Sequence, residues 1–167
     1  MNHAERESTF VRLFEDNRAS IRRLCYGYLN SAAEVDDLFQ EIMTNAWNAL
    51  PNFRGEAKIS TWLYRIAVNT AIVHRRRQRP SEELGDFPDC HASAQQDLEQ
   101  RERLEALYRA IAQLGDQDRL IVTLLLEGLS YKEIADITGI TVNYVGVKIV
   151  RIKQALEQLM TADEVSQ

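Results

Sequence analysis

Apolar positions recur three to four residues apart along most of the chain, and no segment alternates with the period of two that a half-buried strand would show. Phe10, Leu13, Phe14, Ile21, Leu24 and Tyr28 mark a first amphipathic helix, which ends at Asn30-Ser31. Ser31 with Glu34 three residues on predicts a capping box for a second helix. That helix carries Leu38, Ile42, Ala46 and Trp47 to about Leu50, where Pro51 stops it. Pro51 to Glu56 reads as a loop. A third helix begins near Ile59 or Ser60, carries Trp62, Leu63, Ile66 and Ala67, and turns strongly basic before Pro80.

Residues 80–96 change character, with Pro80, Gly85, Pro88, several acids and Ser93 marking a linker. Ser93 and Gln96 predict a second capping box. The next helix places Leu104, Leu107, Tyr108, Ile111 and Leu114 on one side and breaks at Gly115-Asp116. A short, very apolar helix follows from Asp118 through Leu120, Ile121, Leu124 and Leu125, with Gly128 as its C-terminal cap. The pattern predicts an all-α chain: a three-helix unit over residues 1–79, a linker over 80–96, a four-helix unit over 97–160 and a tail over 161–167.

The last two helices are the most specific stretch. Ser130 and Glu133 predict a cap for a short helix carrying Ile134, Ala135 and Ile137. Gly139 falls in the turn, and Thr141 caps a final helix with Val145, Ile149, Ile152 and Leu156 inward. Two helices that cross steeply need a small residue at the contact and a turn that admits a positive backbone angle; Ala135 and Gly139 supply them. Asn143, Tyr144, Val147, Lys148 and Arg151 then point outward, with amide and guanidinium groups for base edges and cations for phosphates. The alternative is a packing hairpin with a solvated face. Gly146 costs about 1 kcal/mol against Ala in a helix interior, which close approach of the backbone to DNA would rationalise.

Charge changes the picture more by its distribution than by its total of -5. The first 80 residues carry 12 Lys+Arg against 9 Asp+Glu, while residues 81–100 carry none against 6. The cluster His74-Arg75-Arg76-Arg77-Gln78-Arg79 thus abuts an acidic stretch. An acidic chain with local basic faces holds DNA weakly unless a partner helps. Cys25 and Cys90 form no CxxC pair, so a disulfide framework is not expected; Cys25 reads as an ordinary buried thiol. Cys90-His91 lacks two further ligands and reads as plain linker, so neither a metal nor a cofactor is expected. The first residues lack the apolar stretch of a signal peptide, and no run approaches the roughly 20 residues of a membrane span, which implies a cytoplasmic protein.

Order then adds meaning to the first unit. An acidic helix, Asp36-Asp37-Leu38-Phe39-Gln40-Glu41, is followed by an Asn52-Phe53-Arg54-Gly55 loop, by Ser60-Thr61-Trp62-Leu63-Tyr64-Arg65-Ile66-Ala67-Val68-Asn69, and by the arginines. This order resembles region two of the extracytoplasmic-function (ECF) sigma factors of bacterial RNA polymerase. Leu126 to Ala135 resembles the E-G-L-S-Y-x-E-I-A stretch of their region four. Together the two resemblances span about residues 8–79 and 100–158.

The resemblance implies two helical domains on a tether and a specificity subunit with no catalytic site of its own. It implies that the helix with Asp36, Asp37, Leu38, Gln40, Glu41 and Ile42 docks on the clamp of the polymerase's largest subunit. The loop with Asn52, Phe53, Arg54 and Lys58 would hold an extruded base, and Arg65, Asn69, Arg75 and Arg76 would contact the melted minus-ten element. Thr141, Asn143, Tyr144, Val147, Lys148 and Arg151 would read the minus-thirty-five element, with the domain docked on the second-largest subunit. An anti-sigma factor is the implied regulator. Val73, Gly115 and residues 143–148 depart from the family pattern, where an acid, a proline and a T-V-K-S-R-like stretch are common.

Two other readings compete. A free-standing helix-turn-helix regulator accounts for residues 130–153 but leaves the acidic helix and the Ser60–Asn69 stretch as packing. An enzyme finds no support: P-loop, HExxH and nucleophile signatures are absent. Trp47 and Trp62 have the spacing of core residues, and Phe53 is the better candidate for stacking on a base.

Overall fold

The computed structural model describes residues 2–29, 31–78 and 98–166. The whole of the expected linker, with the Ser93–Gln96 capping box and the Cys90-His91 pair, lies outside the described residues. The helices are α1 (His3–Tyr28), α2 (Ala32–Ala49), α3 (Ile59–Arg77), α4 (Leu98–Ala112), α5 (Asp116–Leu126), α6 (Tyr131–Thr138) and α7 (Val142–Val165). One 3-10 turn, Leu50–Asn52, follows α2, and no strand occurs among the described residues.

Local chemistry explains the ends. α6 opens on the expected capping box, with Ser130 Oγ accepting from Glu133 N at 3.2 Å and the Glu133 carboxylate accepting from Ser130 N at 2.8 Å. Gly139 closes α6 at φ +76°, a left-handed angle that glycine adopts without strain. Thr141 Oγ1 accepts from Tyr144 N to open α7. Three details differ from expectation. Ser31 makes no side-chain cap at α2, where Glu34 in the first turn still complements the helix dipole. A capping box of Asn2 and Glu5 opens α1 instead. No tail separates after residue 160: Thr161–Val165 holds no breaker, and α7 runs on to Val165, with Asp163 reaching Arg109 of α4 at 3.9 Å.

The first unit packs α1, α2 and α3 around Leu24, Leu38, Ile42 and Leu63, all fully buried. The second packs α4 to α7 around Ile111, Ile121, Leu124, Ile134 and Ile149. Burying each such side chain stabilises by about 1.5–3 kcal/mol. Trp47 packs edge-on against Phe10, with ring centroids 5.2 Å apart, and lies 4.0 Å beneath the Arg6 guanidinium, as its core spacing predicts. Cys25 is fully buried, and desolvation pushes its thiol up to about 12, which makes it unreactive.

The two units do not stand apart. α1 crosses α5, and α3 lies against α6. Their buried side chains form one continuous apolar cluster. Composition and periodicity carry no information on that arrangement.

Candidate polymerase and nucleic-acid interfaces

The acidic face of α2 is narrower than the motif suggests. Asp36, Asp37 and Gln40 are exposed. Leu38 and Ile42 are fully buried in the core, so they cannot form part of a docking surface as expected: their spacing puts them on the inward stripe. Glu41 is half-buried and bridges to α3, accepting from His74 Nδ1 and from Arg77 Nη1 at 3.0 Å each. His74 is itself buried and also meets Gln78 at 3.1 Å. Glu41 therefore ties the acidic helix to the basic one. Asp36 pairs with Arg22 of α1, whose guanidinium lies over the rings of Tyr26 and Phe39. Asp37 is left as the exposed carboxylate of α2 with no such partner among the described residues.

The loop after α2 exposes Asn52, Arg54 and Lys58, while Gly55 turns it at φ +73°. Phe53 is half-buried against Trp62, with centroids 5.2 Å apart. That pair anchors the loop on α3, so Phe53 packs against Trp62 and keeps part of its ring exposed. On α3, Arg65, Asn69 and Arg76 are exposed. Arg75 is half-buried; its Nε bonds Asp116 at 2.9 Å, and its Nη1 donates to the Tyr28 carbonyl at 3.2 Å. Four basic side chains, His74 to Arg77, crowd the last turn of α3, where the helix dipole favours cations.

In the second unit, Ala135 and Gly139 stand at the crossing of α6 and α7, over Ile134, Val145 and Ile149. Asn143, Tyr144, Val147 and Arg151 face outward, as the spacing predicts. Thr141 spends its hydroxyl on the cap. Lys148 differs from expectation: its Nζ donates to Asp118 of α5 at 2.8 Å, and that bond raises its pKa. It is therefore a tethered cation, leaving Arg151 as the free one on this face among those named. A Cβ on Gly146 would meet only the Tyr131 ring, at 3.7 Å, an ordinary contact. Gly146→Ala is therefore expected to stabilise the chain by about 0.5–1 kcal/mol. If it also weakens duplex binding, the glycine serves backbone approach to DNA; equal binding in a fluorescence-anisotropy titration removes that role.

Comparison with known proteins follows the same two units. The profile of sigma-70 region 2 matches residues 13–81, and that of sigma-70 region 4 matches residues 104–156. The RNA polymerase sigma-H factor of Pseudomonas aeruginosa is 36% identical, over 80% of this chain and 76% of its own. The chain belongs to the sigma-70 family.

Within that family it is of the ECF type. The ECF RNA polymerase sigma-E factor of Escherichia coli is 36% identical, over 75% of this chain and 73% of its own. Two solved structures share the fold. One is CnrH in complex with the cytosolic domain of CnrY, with a TM-score of 0.72, 23% identity and coverage of 94% and 90%. The other is the sigma factor RpoE with the anti-sigma factor NepR from Bartonella quintana, with a TM-score of 0.72, 18% identity and coverage of 94% and 97%. This sigma factor supports promoter-specific initiation of transcription, and the paired regions do not favour a free-standing helix-turn-helix regulator. None of the described helices is long and apolar enough to cross a membrane.

Some residues that join the two units had no signal in the motif. Arg119, buried at 6% exposure, ties the second unit together and reaches the first. Gly27 marks the crossing of α1 and α5, yet in sequence it is one glycine in an ordinary helical pattern. Only the partner across the seam gives either residue its meaning.

Proposed function

We propose that this sigma factor docks on core RNA polymerase through Asp36, Asp37 and Gln40 of α2, facing basic side chains on the clamp of the largest subunit. Leu38 and Ile42 act beneath them by fixing the helix, and Glu41 by coupling it to α3. Residues 1–79 form the docking and melting domain, residues 97–165 the upstream-element domain. Polymerase supplies the catalysis; the sigma factor contributes recognition and needs no cofactor. It works in the cytoplasm, where polymerase is, and an anti-sigma factor holds it in check.

Promoter melting needs a surface that prefers unpaired strands. Asn52, Arg54 and Lys58 surround the loop that receives an extruded base, with Phe53 and Trp62 as its floor. Arg65, Asn69, Arg75 and Arg76 hold the single strand. Upstream, Asn143, Tyr144 and Val147 face base edges, Arg151 a phosphate, and Thr141 and Lys148 position the helix. Two weak DNA sites joined through the polymerase gain affinity by effective concentration, so an acidic chain becomes promoter-specific only in the holoenzyme. The observation that carries this reading is the acidic face of α2 set beside the cationic end of α3, with Glu41 joining them.

Permanganate footprinting tests it. Core polymerase with this chain should make thymines near the start site reactive on a cognate promoter, and neither component alone should. Reactive thymines absent from every promoter bound by the holoenzyme would contradict the melting role. Arg151→Ala should lower the salt slope of upstream-element binding by about one. An unchanged slope places Arg151 away from phosphate.

A further inference from the structure

The seam between the two units is closely fitted. Gly27 of α1 faces Thr123 of α5, and a Cβ on it would stand 2.5 Å from Thr123 Oγ1 and 2.8 Å from Cγ2. The two helices thus approach at a point that admits no side chain. Thr123 is 1% exposed, and its hydroxyl donates to the Arg119 carbonyl at 2.6 Å, so it has little room to give way. On one flank Arg23 grips Glu127 by two bonds of 2.8 and 2.7 Å, and the Glu127 side chain is 4% exposed. On the other flank Arg75 pairs with Asp116 at 2.9 Å. Arg75 and Arg119 both donate to the Tyr28 carbonyl, at 3.2 and 3.3 Å. A cleft of about 620 Å³ remains between the units, with Asn69, Arg75 and Arg76 on one wall and Asp116, Gln117 and Leu120 on the other.

Those first-wall residues are the ones assigned above to the melted strand. We propose that α5 is a built-in competitor for promoter DNA: in a closed resting state the Asp116 carboxylate occupies the place of a DNA phosphate on Arg75, and α3 can offer that arginine to a single strand only after the α1–α5 crossing parts. A guanidinium takes a carboxylate or a phosphate through the same charge-assisted bonds, so the two exclude each other. The closure is selective. The outer face of α7 stays exposed in the same arrangement, with Tyr144 at 42% and Val147 at 47%. Closing therefore withholds Arg75 from the strand and leaves the duplex-reading face open. The affinity of a single strand for the full α3 surface, Arg75 included, is the intrinsic one scaled by the open fraction.

The inference rests on the role given to α3 under Proposed function, and its test separates the two. The full chain is compared with Gly27→Ala and Asp116→Asn, with Glu164→Gln at the far end of α7 as a control for the lost charge. Alanine at 27 favours α1 itself, so circular dichroism should keep its helical signal. Small-angle scattering reads the arrangement, and anisotropy reads binding of a fluorescent 20-nucleotide mixed-sequence single strand at fixed salt. The unaltered chain should have a radius of gyration near the about 15 Å of a compact chain of this length. Gly27→Ala should be larger and bind the strand on the order of tenfold more tightly, as opening of a mostly closed population requires. Asp116→Asn should gain affinity beyond Glu164→Gln. An extended unaltered chain, an unopened Gly27→Ala, or an opened one with unchanged affinity would overturn the proposal. Should Gly27→Ala lose helix, Glu127→Gln supplies the same two readouts. None of these outcomes bears on sigma activity, which transcription with core polymerase decides on its own.

Discussion

Asp37→Arg is expected to weaken binding to core polymerase by about a hundredfold while leaving the fold intact. Asp37 is exposed on α2 and has no ion-pair partner among the described residues, so reversing its charge costs the free protein little. Placing a cation against a basic docking surface costs several kcal/mol, and about 2.7 kcal/mol is a hundredfold. Asp37 tests the docking face more cleanly than its neighbours. Glu41→Arg would break two bridges to α3 and leave the buried His74 facing a cation, so a loss of binding would report damage to the domain. Asp36→Arg would release Arg22 as well. The measurement is a titration of labelled protein with core polymerase, with circular dichroism as the fold control. Normal assembly by Asp37→Arg would remove the α2 docking proposal.

Arg119→Ala should cost about 3 kcal/mol of stability, as much as truncating a fully buried aliphatic core residue. The guanidinium is buried and makes no ion pair among the described residues; burial first, then Arg75, lower its pKa from the usual arginine value, against the opposing pull of the Asp116 charge. What holds it is backbone. Its Nε donates to the Leu114 carbonyl at 3.0 Å, one Nη to the Ala112 carbonyl, and the other Nη to the Tyr28 carbonyl at 3.3 Å. Ala112 ends α4, so its carbonyl has no partner within the helix, and a cation there also complements the negative end of the dipole. Alanine would strip the donor from the Ala112 and Leu114 carbonyls, leave the Tyr28 carbonyl to Arg75 alone, and open a cavity around them. Urea unfolding should show a lower midpoint. A loss below about 1 kcal/mol would mean that water replaces the guanidinium at little cost.

Much of the fold was legible because it is local. Helix periodicity, the Ser130–Glu133 box, Gly139 and the Thr141 cap are short-range signals, and each appears in the structure. The site was legible in part. Motif order pointed to the acidic helix, but Leu38 and Ile42 belong to its buried stripe, and Glu41 and Lys148 are held by His74, Arg77 and Asp118 from elsewhere in the fold. A charged residue looks free in sequence until its distant partner is known. The seam was illegible for the same reason: Gly27 and Thr123 lie 96 positions apart and signal nothing until α1 meets α5.

Transcription in vitro tests the central claim most directly. Core polymerase would be given fragmented genomic DNA with and without this protein. New transcripts whose templates share a spaced pair of upstream elements are the expected result. The contradicting result is a transcript set unchanged by the protein although it binds core polymerase.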